Sequence, residues 1–118
     1  MPSELKKMKP VEILEVISKT PVMKILLLIK TLTSASDIAD IIDSNYPSTT
    51  RYLKKLEQMR LVISIDGKAS DSNRKEKMYV SALNDIRMKV DPTNNCLELY
   101  ISTHFEIYHN NTKWRLND

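Results

Sequence analysis

Glycine occurs once in this chain, at Gly67, and cysteine once, at Cys96. One glycine leaves no Gly-rich loop to cradle a nucleotide phosphate. One thiol makes neither an internal disulfide nor a thiolate cluster for zinc, so a reducing, cytoplasmic setting is expected. Aromatics are also scarce, with one Trp, one Phe and five Tyr, and aliphatic residues and Met must fill the interior. The longest aliphatic run, "ILLLI" at 25–29, is far too short to span a bilayer. The opening "MPSELKKMKP" lacks the apolar stretch of a signal peptide. No paired catalytic carboxylates and no Ser/His/Asp spacing appear, so an enzyme is not expected. No cofactor is expected either.

What remains is one domain's worth of polypeptide: 118 residues, 42% hydrophobic and 28% charged. Those proportions describe a soluble globular chain rather than a disordered one. The net charge of +3 is a weak pointer, but its placement says more. Residues 1–44 carry 6 Lys/Arg against 6 Asp/Glu, residues 45–80 carry 8 against 4, and residues 81–118 carry 4 against 5. Positive charge gathered in the middle third is the footprint of a polyanionic partner.

Hydrophobic spacing predicts four helices in the first half. In 9–18, Val11, Leu14 and Ile17 share a face, with Ile13 and Val16 beside it and Pro10 in the first turn. Thr20 is expected as the N-cap of the next helix and Pro21 as its first residue. Apolar residues at Val22, Ile25, Leu26, Leu28, Ile29 and Leu32 imply a central helix packed on more than one side. Ser34 and Asp37 have capping-box spacing, opening a short helix whose inner face is Ile38, Ile41 and Ile42. After the polar turn "DSNYP" comes a helix over about 46–59, with Leu53 and Leu56 inside and Arg51, Lys54 and Lys55 outside. Tyr52 stays open between core edge and surface contact. Short helix, tight turn and basic helix make a helix-turn-helix in outline.

Beyond Leu61 the period shortens. "LVISID" and "KMYVSAL" read as strands joined by a basic hairpin over about 66–77, with Gly67 supplying the turn. "DIRMKVD" places Ile86, Met88 and Val90 on one face of a further strand. The alternation in 96–108 favours a strand over a helix built on Leu97, Ile101, Phe105 and Tyr108, and "HNNT" reads as the turn after it. His104 and His109 lie near Cys96 without completing a ligand set, so no metal site is expected.

Residues 17–80 resemble an ArsR-type winged helix-turn-helix transcription regulator, with MarR-type and other archaeal-like winged-helix groups sharing much of the pattern. "TSASDIADIID" is similar to the family's T-x-x-E-L-A-x-x-L-G helix. "YPSTTRYLKKLEQMRLV" is similar to its recognition-helix signature, s-x-s-T-V-S-R-H-L-x-x-L-x-x-x-G-L-V. Thr49 stands where that signature has a buried Val, and Arg60 where it has Gly. Arg60 must therefore adopt a left-handed conformation, at a cost of about 1 kcal/mol, or end the helix differently. The paired cysteines of metal-sensing members are absent from 37–42, and the segment after Leu83 has no counterpart.

The resemblance implies a winged-helix domain over 1–83; with the β extension over 84–118 of the same domain, read from its alternation, the expected fold is α+β. It implies double-stranded DNA as partner. Tyr46, Ser48, Thr50, Arg51, Lys54 and Lys55 of the recognition helix would face the major groove or flanking phosphates. Lys68, Arg74, Lys75 and Lys77 of the wing would hold the backbone or the minor groove. The bland alternatives are a solvated helix face and a soluble loop. A homodimer is expected, its C-terminal sheet pairing across a two-fold axis with help from the N-terminal helix, because a long unpaired edge at 96–108 invites aggregation. The second functional reading is a winged-helix protein–protein interaction module within a larger assembly.

Overall fold

The computed structural model describes residues 4–69 and 75–114, with backbone alone for Lys68, Ala69 and Lys75. The fold is α+β, with four α-helices and two antiparallel three-stranded sheets. A 3₁₀ turn, Glu4–Lys7, precedes α1 (Pro10–Ile17), α2 (Thr20–Leu28), strand β1 (Thr33–Ser34), α3 (Ala35–Ile41) and α4 (Tyr46–Gln58). Strands β2 (Val62–Ala69) and β3 (Lys75–Ser81) join β1 in the order β1-β3-β2. The second sheet is β4 (Leu83–Asp91), β5 (Cys96–Thr103) and β6 (Ile107–Lys113), in that order.

The helix starts follow local chemistry. Ser34 Oγ accepts from the Asp37 N–H at 3.2 Å, and Asn45 Oδ1 accepts from the Ser48 N–H at 2.8 Å; each satisfies one of the donors a helix start leaves open. Thr20, expected as a cap, is the first helical residue, and Lys19 holds the cap position without a side-chain bond.

The C-terminal ends of α3 and α4 both lack the glycine such ends favour. Asp43 (φ 54°) and Arg60 (φ 58°) take the left-handed conformation instead. At the first, Ser44 N–H donates to Ala39 O at 2.9 Å and Asp43 N–H to Asp40 O at 3.3 Å. At the second, Leu61 N–H donates to Leu56 O at 2.9 Å and Arg60 N–H to Glu57 O at 3.0 Å. Both are Schellman closures. The second is locked by its apolar pair, since Leu56 and Leu61 are fully buried.

One core runs through the molecule. Ile13, Ile17, Val22, Ile25, Ile38, Ile42, Leu53 and Leu56 from the helices meet Leu99, Ile101 and Tyr108 from the second sheet. Thr49, in the place of the signature's valine, is fully buried. Its hydroxyl donates to Asn45 O at 2.8 Å, so the polar atom is satisfied inside the helix rather than stranded in the core.

Several expectations need correcting. Helix α1 turns Ile13 and Ile17 inward and leaves Val11 exposed, because the second sheet packs on the Ile13 side. Helix α2 stops at Leu28, and Ile29 leaves the helical region. The apolar stripe therefore breaks, with Leu28 54% and Leu32 42% exposed, although α2 does pack on more than one side, against α1, α4 and β3. Ile41 is likewise exposed while Ile38, Ala39 and Ile42 face inward. Met88 and Val90 are exposed because the outer end of the second sheet reaches beyond the helices. That overhang gives a radius of gyration of 16.2 Å, against about 13–14 Å for a compact chain of this length.

The stretch 96–108 is not one strand. Thr103 Oγ1 accepts from the N–H groups of Phe105 and Glu106, both at 3.2 Å, and turns the chain there. "HNNT" lies inside β6, not in a turn. Strand β5 is paired on both sides, so the free edges belong to β4 and β6. Gly67 also departs from its expected role. Its φ is not positive, and it sits within β2 beside a register shift. An added Cβ would lie 2.5 Å from Glu76 O, so glycine is needed for close backbone approach rather than for a turn.

Candidate nucleic-acid interface

Helix α4 has a buried face of Thr49, Leu53 and Leu56, with Tyr52 half-buried beside it. The opposite face carries the candidate residues. At about 100° per residue, Arg51, Lys54 and Gln58 fall along its crest, and all three are exposed. Tyr46 and Thr50 lie on the flank toward the first sheet, with Tyr46 55% exposed.

The two basic segments of the sequence meet here. Thr50, Lys54, Glu57 and Gln58 of α4 and Lys77 and Tyr79 of β3 line one open groove of about 520 Å³. The strands set this geometry. The ladder pairs Ser64 with Tyr79 and Asp66 with Lys77, and Ser64 Oγ donates to Glu57 Oε1 at 2.8 Å, tying β2 to the helix flank. Burial raises the pKa of the Tyr79 hydroxyl, reinforced by the negative charge of Glu57 and by Tyr46.

Not every expected residue joins this surface. Lys55 points away, its Nζ 3.2 Å from Glu4 Oε2, and pairs with the N-terminal segment. Ser48 and Thr50 have their hydroxyls engaged within the helix. Ser48 Oγ accepts from Arg51 Nη2 at 3.1 Å, and Thr50 Oγ1 donates to Pro47 O at 2.9 Å. The N–H groups of Ser48 and Thr49 are bonded to Asn45 and Pro47 has none, which leaves few of the donors that anion binding at a helix start uses. Arg74 lies outside the described residues, as do the side chains of Lys68 and Lys75.

Glu57, Gln58 and Tyr79 are groove residues that sequence reasoning missed. Gln58 had a signal, standing four residues after Lys54 on the same crest. Tyr79 had none, because its position depends on strand register. His104 and His109 do not share a strand: His104 follows β5, while His109 lies in β6, 2.8 Å from Glu98 Oε1. Among the described residues, no cluster of three His, Cys, Asp or Glu could hold a metal ion. No described helix is long and apolar enough to cross a membrane. Comparison with protein-family models and with curated proteins returned no match.

Proposed function

We propose that this protein is a sequence-specific DNA-binding transcription regulator of winged-helix type, similar to the ArsR group. On this reading α3, its turn and α4 form the helix-turn-helix, α4 enters the major groove, and the β2–β3 hairpin is the wing. One observation carries the reading. Lys54 and Lys77, which are remote in sequence, line a single groove beside the exposed Arg51. Arg and Lys on an exposed helix read guanine edges, and a second basic element on the adjacent backbone fixes register.

The reading includes a homodimer, since paired half-sites multiply affinity. Its sheet edges for pairing are β4 and β6, because β5 is internal. A monomer by light scattering at micromolar concentration would remove that part. The competing reading, a protein–protein interaction module, draws on the exposed Leu27, Leu28, Leu32 and Ile41.

The test is the pair Arg51→Ala and Lys54→Ala. Retention on genomic DNA fragments should weaken, and the log–log salt slope should fall by about 1–2. Unchanged retention at low salt would favour the interaction module.

A further inference from the structure

A second hollow lies beside the N-terminal segment. The link between the 3₁₀ turn and α1 runs beside β6, and between them is a space of about 670 Å³. That falls within the range of about 300–1,000 Å³ typical of small-molecule sites. Lys6, Lys7, Lys9, Met8, Val11 and Trp114 are among its lining residues.

Its walls are held in place. Leu5 and Pro10 on either side of the link are buried, and Tyr108 Oη donates to Met8 O at 3.2 Å. Trp114 N–H donates to Asn95 O at 2.7 Å, fixing the far wall to the turn between β4 and β5. Trp114 is nonetheless 38% exposed, and Val11 36%. A neighbouring hollow of about 520 Å³, lined in part by Val90, Pro92 and Leu97, shares Trp114.

Positive charge predominates along the link, although Glu12 Oε1 accepts from the Lys9 N–H at 3.3 Å. Lys6 has one weak partner, Glu106 at 3.8 Å, and Lys7 and Lys9 make no ion pair with any described residue. Lys7 and Lys9 are both exposed and two residues apart, so an anion held at both gains from each charge. The space thus combines an apolar and aromatic floor with two lysines, Lys7 and Lys9, that make no ion pair with a described residue.

We propose that this cleft binds a small amphipathic carboxylate, its anionic head at Lys7 and Lys9 and its apolar body against Met8, Val11 and Trp114. The inference does not rest on the DNA-binding reading, and no residue is shared between the two surfaces. A free amphipathic acid and an anionic membrane surface present the same chemistry, so the test separates them.

Trp114 is the only tryptophan in the chain, so its emission reports directly on the cleft. Octanoate is the probe and 1-octanol its neutral counterpart. Titration with octanoate should produce a saturable blue shift, with 1-octanol binding at least about tenfold more weakly. Lys7→Gln with Lys9→Gln should weaken octanoate by about tenfold, the order expected for removing two partly solvated charge contacts, at unchanged circular dichroism. Because both lysines are exposed, folding should be unaffected. Calorimetry on Trp114→Phe should still detect octanoate and so separate binding from the optical signal. The proposal fails if octanoate gives no saturable response, if 1-octanol binds equally well, or if the lysine variant binds unchanged. Sedimentation with phosphatidylglycerol vesicles without any response to free octanoate would also overturn it, in favour of a membrane surface.

Discussion

Arg60 offers a quantitative test of how helix α4 ends. Its φ of 58° places an L side chain in the left-handed region, which costs a non-glycine residue about 1–2 kcal/mol. The closure bonds from Arg60 and Leu61 and the buried Leu56–Leu61 pair hold it there. The guanidinium also sits 5.6 Å from the centre of the Phe105 ring, a contact worth about 0.5–1 kcal/mol. Arg60→Ala keeps the strain and loses the ring contact, so stability should fall by about 0.5–1 kcal/mol. Arg60→Gly loses the same contact and releases the strain, but gives the unfolded chain extra freedom worth about 0.5–1 kcal/mol. The result should lie close to the parent protein. Glycine should therefore exceed alanine by about 0.5–1 kcal/mol, the reverse of the order within a helix, where alanine leads by about 1 kcal/mol. Urea unfolding of the three proteins, compared at equal m-value, measures the difference. Alanine matching or exceeding glycine would refute the left-handed closure.

Gly67→Ala should destabilise by about 1–3 kcal/mol, since its Cβ would meet backbone oxygen rather than a yielding side chain; urea unfolding checks this. Thr49→Val should change stability by less than about 1 kcal/mol, because Asn45 O keeps its bond from the Thr49 N–H and the added methyl is buried. Thr49→Ala should cost more, by the cavity it leaves. The folded Tyr79 hydroxyl titrates above its ordinary value of 10.0 because it is buried, with Glu57 and Tyr46 adding to the effect. Its contribution to stability is complete below the unfolded value and is lost as pH rises through the folded one. Thermal melts should show destabilisation setting in above about pH 10, and Tyr79→Phe should reduce that alkaline slope.

The first half of the fold was legible because its signals are local. Apolar spacing marked α1 to α4, Ser34 and Asp37 marked a cap, and Pro10 and Pro21 marked first turns. These features act within four residues along the chain, where helix hydrogen bonds also act. The second half was less legible because strand ends depend on what lies alongside. The turn at 104–106 rests on the Thr103 hydroxyl bonding forward to two backbone groups, and the apolar alternation runs straight through it. "HNNT" carries turn-like residues yet extends as a strand, because β5 supplies the ladder partner.

The candidate surface divides along the same line. Sequence alone determined that α4 carries Arg51 and Lys54 opposite Leu53 and Leu56, since helical periodicity separates those faces whatever the surroundings. It also determined that positive charge gathers in the middle third. Only the tertiary structure decided that Lys54 shares a groove with Lys77, that Lys55 is drawn aside to Glu4, and that Tyr79 completes the groove floor. Those relations join residues through strand register and helix packing, which no spacing along the chain records.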